Sequence, residues 1–366
     1  MKKISSLTIP CHWDPQVLKQ ILGQRGNQGI ELREVYGVIP RAPIGHGRNP
    51  SMLKPLEETE IHKFIGLLKE NKINFAYLLN SPFAKEKIKE NYSGIRNYIE
   101  WILAEIKPDS LVISSREVMD LVREFSDIPI TVSTIARVRN AGDLEGYLEI
   151  NPSKVVVQHD VNREFEELEE LVEFAGEQGV KVEVMLTESC IRGCSLMVNH
   201  YRTVGGGNSD KLFHQWCNTK KISLPEELLL SNFIRPEDIS LYEEMGISHF
   251  KITGRSKKPS WLPEVVDAYR NRKFEGNLIR LLGIDPCLNA EDWIHIPNSS
   301  LDGFLKNFPR DSNPETEREY CKRWIIKLYQ GGNFWVEGVE YKISADNIVP
   351  KNQIRELLQI KNAYLN

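Results

Sequence analysis

Three cysteines in one short span are the residues of this chain best suited to chemistry. Two lie in Glu188-Ser-Cys-Ile-Arg-Gly-Cys194, a C-x3-C spacing, and a third follows in Phe-His-Gln-Trp-Cys217. The first pair comes directly after the apolar run Val180 to Leu186, which reads as a buried strand. Both sulfurs can therefore turn toward one point where the strand emerges, and Cys217 can join them across a loop. Thiolates gathered this way bind soft metal, either zinc or the iron of an iron–sulfur cluster. The alternative is three unconnected thiols packed as small hydrophobes.

Composition narrows the setting. The chain has 366 residues, enough for one large domain or two ordinary ones, with 41% hydrophobic and 27% charged residues. Its apolar runs fall short of the ~18–20 residues of a membrane span. The start, Met1-Lys-Lys-Ile-Ser-Ser-Leu-Thr-Ile-Pro10, reads as a first strand rather than a signal peptide. Six cysteines in a chain of this length point to reduced thiols in a cytoplasmic protein, and to a metal or redox site rather than a disulfide framework. A net charge of −4 gives no global pull toward nucleic acid or anionic lipid, although a local basic patch can still form.

The elements that must position these cysteines repeat along the chain. Short β-branched runs alternate with longer amphipathic stretches. The expected strands are Ile4–Ile9, Gly29–Val35, Ile73–Leu79, Ser110–Ser114, Ile128–Ser133, Lys154–Gln158, Val180–Leu186 and Ile247–Thr253. Most are continuously apolar, as parallel strands covered on both faces are. Helices are expected over Pro15–Leu22, Glu86–Ile106, Arg116–Phe125, Phe165–Gly176, Leu224–Leu230, Pro236–Met245 and Trp261–Arg272, with Asp160, Asp238 and Ser260 as N-caps. Arg235 is expected to pair locally and order the entry to its helix. Eight such units predict an α/β fold, a (β/α)8 TIM-type barrel over residues 1–282. The rival, an open doubly wound sheet, lacks a glycine-rich turn after its first strand. Gly205-Gly-Gly207 falls after the seventh strand, outside any strand-turn-helix setting, and reads as a flexible loop. Residues 283–366 are expected to form a C-terminal extension packed on the barrel, with a helix over Glu315–Tyr329, a hairpin over Phe334–Ile343 and a closing helix over Ile354–Lys361.

Barrel enzymes work at the C-terminal ends of their strands. In this register those ends carry Cys11 and His12, Asn80, Ser114 and Ser115, Thr134, Gln158 and His159, Glu188 with Cys190, and Lys251 with Arg255. The cysteine stretch falls on that face.

Glu183-Val-Met-Leu-Thr-Glu-Ser-Cys190-Ile-Arg-Gly-Cys194, with Asn199-His200 behind it, is similar to a signature of the collagenase-like peptidases, peptidase family U32. The same pattern continues in Asn232-Phe-Ile-Arg235-Pro-Glu-Asp238, Phe250-Lys251-Ile-Thr-Gly254-Arg255, Gly276-Asn277-Leu278 and Leu301-Asp302-Gly303-Phe304. The resemblance implies a barrel with a cysteine-ligated [4Fe–4S] cluster. It also implies oxygen-independent hydroxylation of an RNA base or a quinone precursor, with prephenate as oxygen donor in several members, despite the peptidase label. A small-molecule, peptide or RNA substrate follows, and so does the alternative of a non-catalytic cluster-bearing subunit that works beside a related protein. Carried over by position, Cys190, Cys194 and Cys217 match three ligand positions. Where many members have the fourth cysteine this chain has Ser240, which leaves that ligand open among Cys321, Cys287 and Cys11.

Each further candidate has a chemical and a structural role to decide between. Arg192 can hold cluster sulfides or a substrate carboxylate, or lie on the surface. Glu188 can act as a base or merely cap a turn. Lys251 can bind an anion or form a Schiff base, or pair with a carboxylate such as Glu183. Arg255, with Lys257 and Lys258, suits a carboxylate or phosphate, or forms a solvated loop. His159 can move protons or sit beside a helix cap. His200 and His214 are reserve ligands. A peptidase reading finds neither a zinc-peptidase helix motif nor a nucleophile elbow.

Overall fold

Eight short strands pair side by side, in parallel and in chain order, and close into a barrel: β1 (Ser5–Pro10), β2 (Ile30–Gly37), β3 (Asn74–Leu79), β4 (Ser110–Ile113), β5 (Ile130–Val132), β6 (Lys154–Val156), β7 (Lys181–Met185) and β8 (His249–Lys251). The computed structural model describes residues 4–24, 26, 29–40, 42–47, 55–254, 257–282, 290–344 and 347–351. Closure rests on β1 meeting β8, with Leu7 opposite Phe250 and Thr8 opposite Lys251. All eight strands fall within a few residues of those expected, because covering both faces of a parallel strand demands the continuous apolar runs visible in the chain. Arg255, Cys287 and the expected helix Ile354–Lys361 lie outside the described residues.

The helices show where local chemistry overrides periodicity. After α1 (Pro15–Gly23) comes α2 (Glu58–Glu70), absent from the sequence reading although Ile61, Phe64, Ile65 and Leu68 form a buried stripe at helical spacing. The single helix expected over Glu86–Ile106 is broken into α3 (Ala84–Glu90) and α4 (Tyr92–Trp101), which runs on into a π turn over Ile102–Ile106. Asn91 makes the break: its side chain accepts from Gly94 N at 3.0 Å and starts a new helix. Helices α5 (Arg116–Arg123), α6 (Ala141–Glu145) and α7 (Phe165–Glu177) follow. Two helices then stand where a loop was expected, α8 (Met197–Gly205) and α9 (Lys211–Ser223), so Gly205 closes a helix and Cys217 is helical. The remainder are α10 (Glu226–Leu230), α11 (Ile239–Glu244), α12 (Trp261–Asn271), α13 (Leu278–Leu281) and α14 (Pro314–Gln330). Among the described residues, no helix is long and apolar enough to cross a membrane.

Beyond the barrel, the hairpin expected over Phe334–Ile343 is replaced by two other pairings. Strand β9 (Ile294–His295) takes β10 (Trp335–Val336), and β11 (Tyr341–Ser344) takes β12 (Asn347–Pro350). Stacking of His295 on Trp335, with ring centroids 4.6 Å apart, draws that strand away from its sequence neighbour. Helix α14 packs on α10, where Arg318 reaches Glu227 at 2.9 Å. Arg235 pairs with Asp238 at 2.8 Å as expected, and also donates to the carbonyl of Asn298.

The barrel interior holds a charged layer. Lys154 Nζ lies 2.6 Å from Glu34 and 3.0 Å from Glu183, linking β6 across the lumen to β2 and sideways to β7. Thr8 donates to the same Glu183 oxygen at 2.6 Å. Lys251 stands 3.9 Å from the other Glu183 oxygen and 3.9 Å from the centroid of the Tyr36 ring. Two ammonium groups overcome the cost of burying this carboxylate and hold Glu183 well below the usual carboxylate range.

Candidate functional site

The cysteine stretch leaves β7 at the C-terminal mouth and is held in place by hydrogen bonds on three sides. Glu188 turns back on its own backbone, accepting from the amides of Ser189 at 3.0 Å and Cys190 at 3.3 Å. The carbonyl of Ser189 accepts from Lys221 Nζ of α9 at 2.5 Å. Asp160, just beyond β6, accepts from the Gly193 amide at 3.3 Å, the Asn232 amide group at 3.0 Å and Gln158 at 2.9 Å. Asp160 thus fastens the cysteine turn instead of capping α7, the role expected of it. Gly193 has φ +61°, a left-handed conformation that glycine adopts without strain, and there the turn bends to bring Cys194 back.

The chain returns through α8, doubles back into α9, and delivers Cys217 to the same region. The charges acting on the Cys190 thiol include Glu188, Lys221 and Cys217, and those acting on Cys217 include Lys221 and Cys194. Cys217 therefore lies within electrostatic reach of both Cys190 and Cys194, and Lys221 within reach of Cys190 and Cys217. Burial pushes the Cys190 thiol well above its ordinary range, and Glu188 adds to the shift; burial raises Cys217 as well. Thiols so placed are poor free nucleophiles. They suit a metal that supplies the positive charge their thiolates lack.

The other candidates occupy distinct places. Arg192, between the first two cysteines, is ion-paired with Glu317 of α14 and lies 3.9 Å from Glu164, so it ties the cysteine turn to the C-terminal helix. Cys321 is buried one turn beyond Glu317, where the charges acting on it are Arg163, Glu317, Arg192 and Glu226. Cys11 is buried at the mouth of β1; its sulfur accepts from the Trp13 amide at 3.4 Å. His159 is fully enclosed, with Asp160 at 3.6 Å. Lys251 sits lower, in the charged layer of the lumen. Lys257 is buried with Glu291 at 3.7 Å, away from the solvated loop that was one reading of its segment.

Several residues of the site escaped the sequence reading. Lys221 is one, although its position four residues after Cys217 would place it on the same helical face. Tyr201 is another. Burial raises its phenol well above the ordinary range, and Cys190, Glu188, Asp160 and Cys194 all act on it. Tyr201 also lines a pocket of about 380 Å³ at the mouths of β3 to β5, together with Ser81, Ser114, Arg137 and Arg202. Arg137 holds φ +64°, an uncommon conformation for a side-chain-bearing residue, and reaches toward Gln158 at 3.5 Å. A larger pocket of about 700 Å³ lies beyond the barrel near His295 and Trp335, away from the cysteines. Asp210 was also missed. His200 and His214 both contact its Oδ2, at 3.4 and 3.1 Å, and these bonds hold its carboxyl well below the usual range.

Comparisons with known proteins agree with these motifs. Residues 48–191 match the profile of Peptidase family U32, a match that runs from the segment before α2 into the cysteine turn. An "Uncharacterized protease MJ1657" from Methanocaldococcus jannaschii is 26% identical over 306 residues, covering 81% of this chain and 89% of that relative. A solved structure, that of the U32 peptidase Mk0906, superposes with a TM-score of 0.49 at 13% identity, covering 69% of this chain and 93% of that one. The profile match, the relative and the cysteine signature together make this chain similar to peptidase family U32.

Proposed function

We propose that this chain is a cytoplasmic iron–sulfur protein that carries out an oxygen-independent hydroxylation, or a related redox modification, at the C-terminal mouth of its barrel. The observation that supports the reading is that Cys217, delivered by α9, comes within electrostatic reach of Cys190 and Cys194 on the turn after β7, with Lys221 near them. The donor set fits a [4Fe–4S] cluster: these three thiolates would hold it, and Lys221 offsets part of their negative charge. When bound, such a cluster supplies electron transfer or a Lewis-acidic iron.

The chain's own residues do the rest. Asp160 and Glu188 fix the backbone of the cysteine turn, so the sulfurs are preorganised. Arg192 and Glu317 hold α14 against that turn, which makes Cys321 our first choice for a fourth ligand. The pocket lined by Tyr201, Ser81, Ser114, Arg137 and Arg202 offers hydroxyls and cationic groups to a carboxylate-bearing substrate or oxygen donor of the prephenate class. Tyr201, kept protonated, lies between the cysteines and this pocket and can donate a proton or a hydrogen bond to a bound ligand.

The name of the relative favours a second reading, a peptidase. Its weakness is physical, since a cysteine nucleophile needs a depressed pKa and both Cys190 and Cys217 are shifted upward. One experiment separates the two readings. RNA nucleosides and quinones from cells grown without oxygen are compared by mass spectrometry, with and without a functional copy of this chain and with Cys190→Ala. Loss of one oxygen atom from a defined product in both deficient strains is expected. Unchanged nucleosides and quinones, with peptide cleavage that requires this chain, would overturn the proposal.

A further inference from the structure

Helices α8 and α9 carry a second group of side chains able to ligate a metal, besides Cys217. Among the described residues, one trio of ligating side chains has its donor atoms all within 4.8 Å of one another: His200, Asp210 and His214. His200 sits on α8, and Asp210 and His214 open α9. Both Nε2 atoms converge on one carboxylate oxygen, Asp210 Oδ2, at 3.4 and 3.1 Å. Two features beyond proximity aim them there. The His200 ring stacks on Phe213 with centroids 4.8 Å apart and planes 7° apart, which fixes its plane. His214 meets His200 edge to face at 90°. The two ring planes are therefore perpendicular while both Nε2 atoms reach the same carboxylate oxygen.

The spacing also suits an ion. Zinc holds imidazole nitrogen and carboxylate oxygen at about 2.0–2.2 Å. At tetrahedral angles, donors on one such ion stand roughly 3.3 Å apart. The 3.4 and 3.1 Å separations from the two nitrogens to Asp210 Oδ2 lie close to that value, and all three donors stand within 4.8 Å of one another.

We infer that His200, Asp210 and His214 form a second metal site, distinct from the cysteines, for a divalent first-row transition metal. Two imidazoles and one carboxylate are the donor set of sites that leave coordination positions open to water or substrate. All three residues are partly exposed, so an ion has an entry path. His214 lies three residues before Cys217 on α9, roughly one turn away, so the second site would adjoin the thiols and restrain the hinge between the two helices. Asp210 alone would not make the case, since it also stands as N-cap of α9, but it makes no capping bond there with its side chain.

The test uses Co²⁺ as probe on the full chain, in wild type, in Cys190→Ser/Cys194→Ser/Cys217→Ser, and in that background with Asp210→Asn or His214→Gln. Far-ultraviolet circular dichroism checks that each variant is folded. The cysteine-free chain is expected to take up one Co²⁺ with weak visible bands and no thiolate charge-transfer band. Affinity should fall at least tenfold in both added variants, which retain side-chain size. If the cysteine-free chain binds no Co²⁺ in equilibrium dialysis, or binds it equally after Asp210→Asn and His214→Gln, the inference is overturned. Should the triple-serine variant fail to fold, Zn²⁺ binding is measured in wild type after cysteine alkylation against Asp210→Asn treated alike. The same tenfold loss supports the site, and equal binding overturns it.

Discussion

Glu183→Gln offers the sharpest test of the charged layer inside the barrel. The carboxylate is fully buried and meets Thr8 at 2.6 Å, Lys154 at 3.0 Å and Lys251 at 3.9 Å. Glutamine keeps the size and one acceptor oxygen but removes the charge and turns an amide donor toward an ammonium. Breaking a buried ion pair costs about 3–5 kcal/mol. Lys154 keeps Glu34 at 2.6 Å, which places the loss at the lower end, about 3 kcal/mol. At roughly 2–4 °C per kcal/mol, the melting midpoint should fall by roughly 6–12 °C at neutral pH. The sign of the pH dependence follows from the shift. Glu183 is held down to about 2, so its contribution is complete above the ordinary carboxylate range and is lost as pH falls through about 2. The gap between wild type and Glu183→Gln should therefore narrow as pH is lowered from about 5 toward 2. Thermal unfolding followed by circular dichroism at several pH values measures it. A midpoint shift below about 2 °C at neutral pH, or a gap that widens in acid, would refute the reasoning.

The cysteine region yields further tests. Cys190→Ala and Cys217→Ala should each abolish most bound iron in anaerobically purified protein, by elemental analysis, while Cys321→Ala separates a fourth ligand from a packing thiol by whether iron is retained. Asp160→Ala removes the acceptor of Gly193, Asn232 and Gln158, so the turn should lose about 1–3 kcal/mol of local stability and become more open to limited proteolysis between residues 188 and 194. Arg192→Ala strands the Glu317 carboxylate, whose side chain is 1% exposed, and should cost about 3–5 kcal/mol in urea unfolding. Arg192→Ala/Glu317→Leu should recover much of that loss.

The strands were legible because a parallel barrel imprints continuous apolar runs on its sequence. The end of the seventh apolar run is enough to put Cys190 at the C-terminal end of the barrel. The ion pairs were less visible. Lys154 and Glu34 are 120 positions apart and meet only because β6 and β2 face each other across the lumen. Arg192, whose place between the cysteines suits it to cluster sulfides or a substrate carboxylate, also pairs with Glu317, far along the chain. The helix carrying Cys217 is hard to see in the sequence because it is polar and follows Gly205-Gly-Gly207, which break the pattern between it and α8. Asp160 carried the marks of an N-cap, and only the folded turn shows its carboxylate accepting from Gly193.

Anaerobic purification, with an absorbance spectrum and iron and sulfide quantitation, asks directly whether the three cysteines hold an iron–sulfur cluster. A cluster held there gives a brown protein with broad absorbance near ~400 nm and about four iron and four sulfide per chain, both lost in Cys190→Ala. A colourless protein that stays free of iron and sulfide after anaerobic reconstitution, or one that holds only zinc at the cysteines, would contradict it.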